Sequence, residues 1–218
     1  MKTFHIYLLR HGITQANLDG AYCGSTDLPL CPEGERNLYD ILAEYAYPYV
    51  DAVYASPMLR ARQTAEILFP DNEIELVDGL REASFGRFEG KTLAALKDDD
   101  EFNRWVAPGS GFCPEGVDDP QIFYRRCCEA FLSVCDDMMR TAAHRAAVVT
   151  HAGVIGNILA QFAYPKKAPY DWTCAAGCGF QLLLDPTLFL REPVVEVVDT
   201  VPAYVELGEA EQPPEIED

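Results

Sequence analysis

Short apolar runs alternate along this chain with longer segments of helical period. Phe4 to Leu9 has the length and composition of a strand. Pro32 to about Tyr47 spaces Leu38, Ile41, Leu42 and Tyr45 as a helix does, opens on Pro and acids, and stops at Pro48. Asp51 to Ala55 reads as a second strand. Ser56-Pro57 then reads as the cap and first residue of a helix carrying Arg60, Arg62, Thr64 and Leu68. Ile74 to Val77 is a short strand, Leu80 to Gly90 a loop, and about Leu93 to Trp105 a helix. Residues 107–120 are rich in Gly and Pro and form a long loop of the kind that often covers a site. Gln121 to Thr141 is the longest helix, with Phe123, Cys127, Phe131, Val134 and Met138 on one face. Ala146 to Thr150 is a buried strand and Gly153 to Tyr164 a helix. Phe180 to Leu184 and Val194 to Val198 are late strands.

Alternating strands and helices predict an α/β fold, a mainly parallel sheet with helices on both faces. The 218 residues fit one large domain, expected over 1–200 with a lid-like insertion at about 92–120. Residues 201–218 read as an acidic, flexible tail.

Composition changes the picture in two ways. A net charge of −18 argues against nucleic acid or an anionic membrane as partner. It also means that an anionic substrate needs a local basic pocket inside a repulsive field. The eight cysteines read as reduced thiols, because the six apolar-leaning residues before Arg10 are too few for a signal-peptide core. The expected location is cytoplasmic.

The strand ends carry the candidate chemistry. Leu8-Leu9 runs into Arg10-His11-Gly12, with Thr14 and Asn17 close behind. In α/β proteins reactive groups gather at the carboxyl ends of strands. Arg is a planar, permanently charged fork for phosphate oxygens, and His is a nucleophile at neutral pH. The second strand leads to Arg60 near a helix N-terminus, another anion-friendly point. The strand at Thr150 ends in His151-Ala152-Gly153, and the loop at 80–90 holds Glu82 and Glu89. Arg62 falls elsewhere on its helix and reads as structural.

In order and type these segments resemble the histidine phosphatase superfamily, which includes the cofactor-dependent phosphoglycerate mutases. Leu8 through Asn17, Gly24 through Asp27, Ser56 through Ala65, Leu80 through Gly90 and Thr150 through Gly153 carry the resemblance, which covers most of residues 4–185. It implies a three-layer α/β sandwich of phosphoglycerate mutase type with one antiparallel edge strand. It implies that His11 attacks phosphorus and forms a phosphohistidine, that Arg10, Arg60 and His151 clamp the phosphoryl oxygens, and that Glu82 donates the proton to the leaving oxygen. Asn17, Gly24, Thr14 and the backbone of Ala152 are the implied substrate contacts. No metal or other cofactor is implied. The chain departs from the pattern at Pro114 to Asp119, which replaces a common Gly-Glu-Ser segment, and at Ala152, where a glycine is common.

The short spacing from Glu82 to His151 lacks the insertion of the mutases. It favours hydrolysis of a small phosphorylated metabolite, a phosphomonoester, over a mutase reaction. A non-catalytic protein that binds phosphorylated ligands on the same fold is the alternative from another class. Substrate selectivity is expected in loops 20–30 and 85–120.

Overall fold

In the computed structural model, which describes residues 3–204, a seven-stranded sheet runs in the order β4-β3-β5-β1-β7-β8-β6. The strands are β1 (Phe4–Arg10), β3 (Ala52–Ala55), β4 (Ile74–Leu76), β5 (Arg145–Thr150), β6 (Ala163–Tyr164), β7 (Gly179–Leu184) and β8 (Val195–Val201). A separate two-stranded pair joins β2 (Tyr45–Ala46) to β9 (Ala203–Tyr204). The main helices are α2 (Pro32–Glu44), α3 (Leu59–Leu68), α6 (Pro120–Thr141) and α7 (Ala152–Phe162), with shorter α1 (Gln15–Leu18), α4 (Leu93–Leu96), α5 (Asp100–Val106) and α8 (Pro186–Phe189).

Period-two alternation divides the core. Ile6, Leu8, Ala146 and Val148 face α6 and α7, in one cluster with Phe131, Ile155 and Phe162. Their neighbours Tyr7, Leu9, Ala147 and Val149 join Leu38, Ala61 and Ala65 of α2 and α3 in a second cluster. The sheet is thus covered on both faces, as a parallel sheet requires. Each fully buried Leu, Ile or Phe contributes on the order of 1.5–3 kcal/mol.

The architecture is the expected sandwich, mainly parallel. The antiparallel strand is β7. It borders the parallel block by pairing with β1, and β8 and the two-residue β6 lie beyond it, so it is not the outermost strand. Gly179 makes that pairing close: a Cβ there would lie 1.9 Å from the Leu8 carbonyl oxygen.

Several boundaries differ from expectation for local reasons. α2 ends at Glu44, because Tyr45 and Ala46 pair with Tyr204 and Ala203. The acidic tail therefore begins after a strand pair; the remainder, from residue 205, lies outside the described residues. The helix expected over 93–105 is split in two, because Asp99 caps α5 through the Phe102 N–H (3.0 Å) and also receives Arg87. α3 starts at Leu59, not at Pro57, and Ser56 is not its cap. The Leu59 N–H is instead met by Asp27, 2.7 Å away and 32 residues earlier.

Residues 83–117 leave the sheet over a small core of their own, built from Phe88, Leu96 and Phe102 with Tyr22, Phe85 and Trp105. Trp105 stacks on Phe88 at 5.4 Å and Tyr22 meets Phe102 edge-on at 5.6 Å. Such pairs add about 0.5–1.5 kcal/mol each beyond their buried area. Among the described residues no helix is long and apolar enough to cross a membrane.

Candidate active site

Strand register assembles the site. Arg10 sits opposite Thr150, and Ala55 opposite Val149, in parallel pairs. The residues that follow, His11, His151 and Ser56, therefore emerge together at one end of the sheet. Backbone bonds fix the exit: the His11 N–H donates to the Thr150 carbonyl (2.9 Å), the Ser56 N–H to Val149 (2.9 Å) and the Gly12 N–H to Thr64 Oγ1 (2.8 Å).

His11 is buried, and its ring is set by one bond. Nδ1 lies 2.7 Å from the Gly12 carbonyl, which can only accept, so Nδ1 carries the hydrogen and Nε2 keeps its lone pair. Burial, with the Arg60 and Arg10 charges, pulls the imidazole pKa down to about 3. That favours the neutral ring, the form in which an imidazole can act as a nucleophile.

His151 lies 5.1 Å from His11 between ring centroids. Its Nε2 meets the Ser56 hydroxyl at 2.8 Å, while its Nδ1 is buried without a partner among the described residues. Burial first, then the nearby His11, Arg60, Arg126 and Arg10, holds its pKa well below the ordinary value. A phosphoryl dianion brings the opposite charge and favours the protonated ring.

Two arginines face this pair with unequal freedom. Arg60 is fully buried; its Nη1 and Nη2 donate to the carbonyls of Thr26 (2.9 Å) and Gly24 (2.7 Å). Arg10 Nη1 donates to the Cys174 carbonyl at 3.0 Å. Both keep a buried Nε–H without a protein partner among the described residues. A buried unsatisfied donor costs about 1–3 kcal/mol, a cost that an anionic ligand removes. Gly24 is required by shape, since a Cβ there would lie 2.1 Å from the Ala83 carbonyl oxygen.

Glu82 is buried on the same side. Its carboxylate accepts from the Ala83 N–H (3.0 Å) and the Gly153 N–H (2.9 Å) in the first turn of α7. Burial raises its pKa against the pull of these two bonds. A carboxyl poised this way can hold a proton and give it up.

The expected contacts Thr14 and Asn17 form a capping box. The Thr14 N–H and hydroxyl both donate to Asn17 Oδ1 at 3.0 Å, which leaves the Asn17 amide NH₂ for another acceptor. Ala152 opens α7 and lines a cavity of about 400 Å³ shared with Arg10 and Gly153. Glu89 points away from a catalytic role, because Ser25, Thr26 and Phe85 saturate it with donors. Arg62 pairs with Glu66, Arg81 with Asp78 and Arg87 with Asp99 and Glu101.

Two contributors escape sequence reasoning. Ser56 has the signature of a helix cap but serves His151. Arg126, in the second turn of α6, donates to the carbonyls of Gly79 (3.1 Å) and Arg81 (2.7 Å), gripping the segment that delivers Glu82. Outside the loops 20–30 and 85–120, in which selectivity is expected, Pro169, Tyr170, Trp172, Thr173 and Cys174 wall the cavity at Arg10.

The chain is similar to several known proteins. The "Adenosylcobalamin/alpha-ribazole phosphatase" of Escherichia coli K12 is 28% identical over 181 residues, which cover 79% of this chain and 86% of that protein. The "Probable phosphoglycerate mutase GpmB" of Escherichia coli O1:K1 is 28% identical over 156 residues, 69% of this chain and 71% of that protein. The crystal structure of the alpha-ribazole phosphatase from Shigella flexneri superposes with a TM-score of 0.73 at 22% identity, covering 89% of this chain and 95% of that one, a likeness of fold. The family model of the histidine phosphatase superfamily, branch 1, matches residues 6–184, and the chain belongs to that superfamily.

Proposed function

We propose that the protein is a metal-independent phosphatase that hydrolyses a small phosphomonoester through a phosphohistidine on His11. The observation that carries this reading is the His11 ring, its Nδ1 tied to the Gly12 carbonyl and its Nε2 free, in a pocket walled by Arg10, Arg60 and His151. His11 Nε2 attacks phosphorus in line. The P–O bond to the alcohol breaks, and Glu82 gives its proton to the leaving oxygen. Water then attacks the phosphohistidine, Glu82 takes back a proton, and phosphate leaves from a regenerated His11. Arg10, Arg60 and a protonated His151 hold the three equatorial oxygens while charge is redistributed. Asn17 offers its free amide to the same group. Two guanidiniums and an imidazolium supply the positive charge that a metal supplies elsewhere.

The relatives named alpha-ribazole phosphatase support a phosphatase and suggest α-ribazole phosphate as one candidate substrate. All eight cysteines are free thiols, which suits a cytoplasmic enzyme. The test is phosphate release from a panel of phosphomonoesters in a chelator, by wild type and by His11→Ala. The panel includes p-nitrophenyl phosphate, 3-phosphoglycerate, sugar phosphates, nucleotides and α-ribazole phosphate. Release that survives the chelator and vanishes in the variant supports the reading. Conversion of 3- to 2-phosphoglycerate without release overturns it in favour of a mutase. Binding without turnover overturns it in favour of a binding protein.

A further inference from the structure

Ser56 and His151 are both fully buried, and the His151 Nε2 lies 2.8 Å from the Ser56 hydroxyl oxygen. Backbone bonds anchor both partners. The Ser56 N–H donates to the Val149 carbonyl just beyond β3, and the His151 carbonyl accepts the Ile155 N–H in the first turn of α7 (both 2.9 Å). Among the described residues, the one other contact of Ser56 Oγ is with the Met58 N–H, which donates to it at 3.4 Å. That is long for a hydrogen bond. The hydroxyl is not needed to cap α3 either, because Asp27 meets the Leu59 N–H there.

The hydrogen count then decides the state of the ring. A serine hydroxyl has one hydrogen and two lone pairs. Met58 takes a lone pair, and among the described residues no carbonyl or carboxylate accepts the hydrogen. Ser56 is buried, so its hydrogen goes to the one acceptor in reach, His151 Nε2. A neutral imidazole that accepts at Nε2 carries its own hydrogen on Nδ1. Nδ1 is the buried nitrogen without a partner among the described residues, and it is the one left for a ligand. His11 is in the same tautomer, with Nδ1 tied to the Gly12 carbonyl. The two rings, 5.1 Å apart, therefore leave unlike nitrogens free: a lone pair on His11 and an N–H on His151.

We propose that Ser56 is a positioning residue for the phosphoryl site: its hydroxyl fixes His151 as an Nδ1–H donor to a phosphoryl oxygen. The inference rests on the reading of this site as one that holds a phosphoryl group, and it adds what orients the second histidine. The hydroxyl serves both charge states of the ring. While His151 is neutral, the hydroxyl donates to Nε2. When the ring takes up a second proton from water beside a phosphoryl dianion, the hydroxyl turns and accepts from Nε2–H. Nδ1–H is kept for the phosphoryl oxygen in both states. Without the hydroxyl, the neutral ring is free to place its hydrogen on Nε2 and to offer the anion a lone pair, which repels it.

The first test needs no variant at Ser56. Long-range proton–nitrogen correlation spectra of the free protein at about pH 7 should show His151 with Nδ1 protonated and Nε2 bare, its signals identified by their loss in His151→Gln. Inorganic phosphate should then shift the Nδ1 signals. The opposite tautomer in the free protein overturns the proposal. Ser56→Ala removes a single oxygen and should mix the two tautomers. It should also weaken the binding of inorganic phosphate, read by calorimetry, by about tenfold, the worth of one hydrogen bond to a charged group. The kcat/KM for p-nitrophenyl phosphate should fall at least as far. Binding and turnover are read separately, so the two claims part. Wild type that holds phosphate through Nδ1–H, with Ser56→Ala weakening it, but hydrolyses no ester sinks the phosphatase reading and keeps the role of Ser56. Hydrolysis by wild type, with Ser56→Ala unchanged in tautomer, affinity and rate, does the reverse.

Discussion

Glu82 and Glu89 stand at the two ends of one loop, and their surroundings drive them in opposite directions. Glu82 is buried and has two backbone N–H donors; desolvation outweighs them and its pKa rises. Glu89 is half-buried. Burial pushes its pKa up, but the Thr26 hydroxyl, the Ser25 hydroxyl and three backbone N–H groups together bring it down. Two identical side chains seven positions apart are thus biased in opposite directions, Glu82 toward holding a proton and Glu89 toward the anion. The difference lies in the number of donors each can reach, and on the proposed mechanism it separates the acid that would move a proton from the one that holds the loop in shape. Glu89 ties the loop at 80–90 to residues 24–27, whose carbonyls hold Arg60.

The largest test of this contrast is Glu82→Gln. It keeps the hydrogen-bonding shape and removes the proton, so kcat should fall by about 10²–10⁴, most steeply for esters with a poor leaving group. A loss below fivefold on an alkyl phosphate would move the acid elsewhere. Next, Gly153→Ala places a Cβ 2.5 Å from Glu82 Oε1 and displaces the carboxylate, so we expect on the order of a hundredfold loss in kcat with the protein still folded. A variant as active as wild type would show that the Gly153 contact is dispensable. Glu89→Gln should cost less in rate, roughly tenfold, and more in stability, about 1–3 kcal/mol, because the donors it serves are left without their anion. Denaturant melts beside kinetics distinguish this from Glu82→Gln, in which activity falls further than stability.

The smallest and most diagnostic effect is in the pH dependence of stability. The Glu89 pKa is lowered on folding, so its contribution is complete above its unfolded value near 4.5 and is lost as pH falls through the folded value. The Glu82 pKa is raised, so the folded state favours its proton, and that contribution fades as pH rises through the folded value. His11, lowered to about 3, adds a loss that begins below its unfolded value of 6.5. Melting temperatures from pH 3 to 8 should therefore show an acid limb that Glu89→Gln flattens. Glu82→Gln should flatten a shallower decline on the other side. Identical profiles for both variants would erase the distinction between the two acids.

The two ends of this loop also differ in how much of them the sequence discloses. Arg10, His11 and His151 are legible because each directly follows an apolar run, and a strand of that length must deliver its next residue to the sheet's edge. Glu82 is legible through the resemblance to a family, and Arg60 through its position early in a helix. Ser56 is misread, because Ser-Pro is a strong local cap signal and a partner 95 residues away leaves no local mark. The same holds for Asp27 at α3 and Arg126 beneath Glu82. The wall at 169–174 is short, has no strong periodicity, and acquires meaning only when α7 and Gly156 bring it to Arg10. Elements follow local rules; the shell that supports the site follows contacts across the chain.

The hold on Arg60 has an evolutionary corollary. Both of its terminal nitrogens grip main-chain oxygens, those of Gly24 and Thr26. Every amino acid carries the same carbonyl, so the clamp is blind to side chains at those positions as long as the path of the chain is kept. Gly24 is fixed by the nearby Ala83 carbonyl and Asp27 by the Leu59 N–H, so within residues 22–28 Cys23 and Leu28 are the positions free to vary without disturbing the hold on Arg60. On the proposed mechanism, side chains at such positions can change while the guanidinium that would hold the phosphoryl group stays in place.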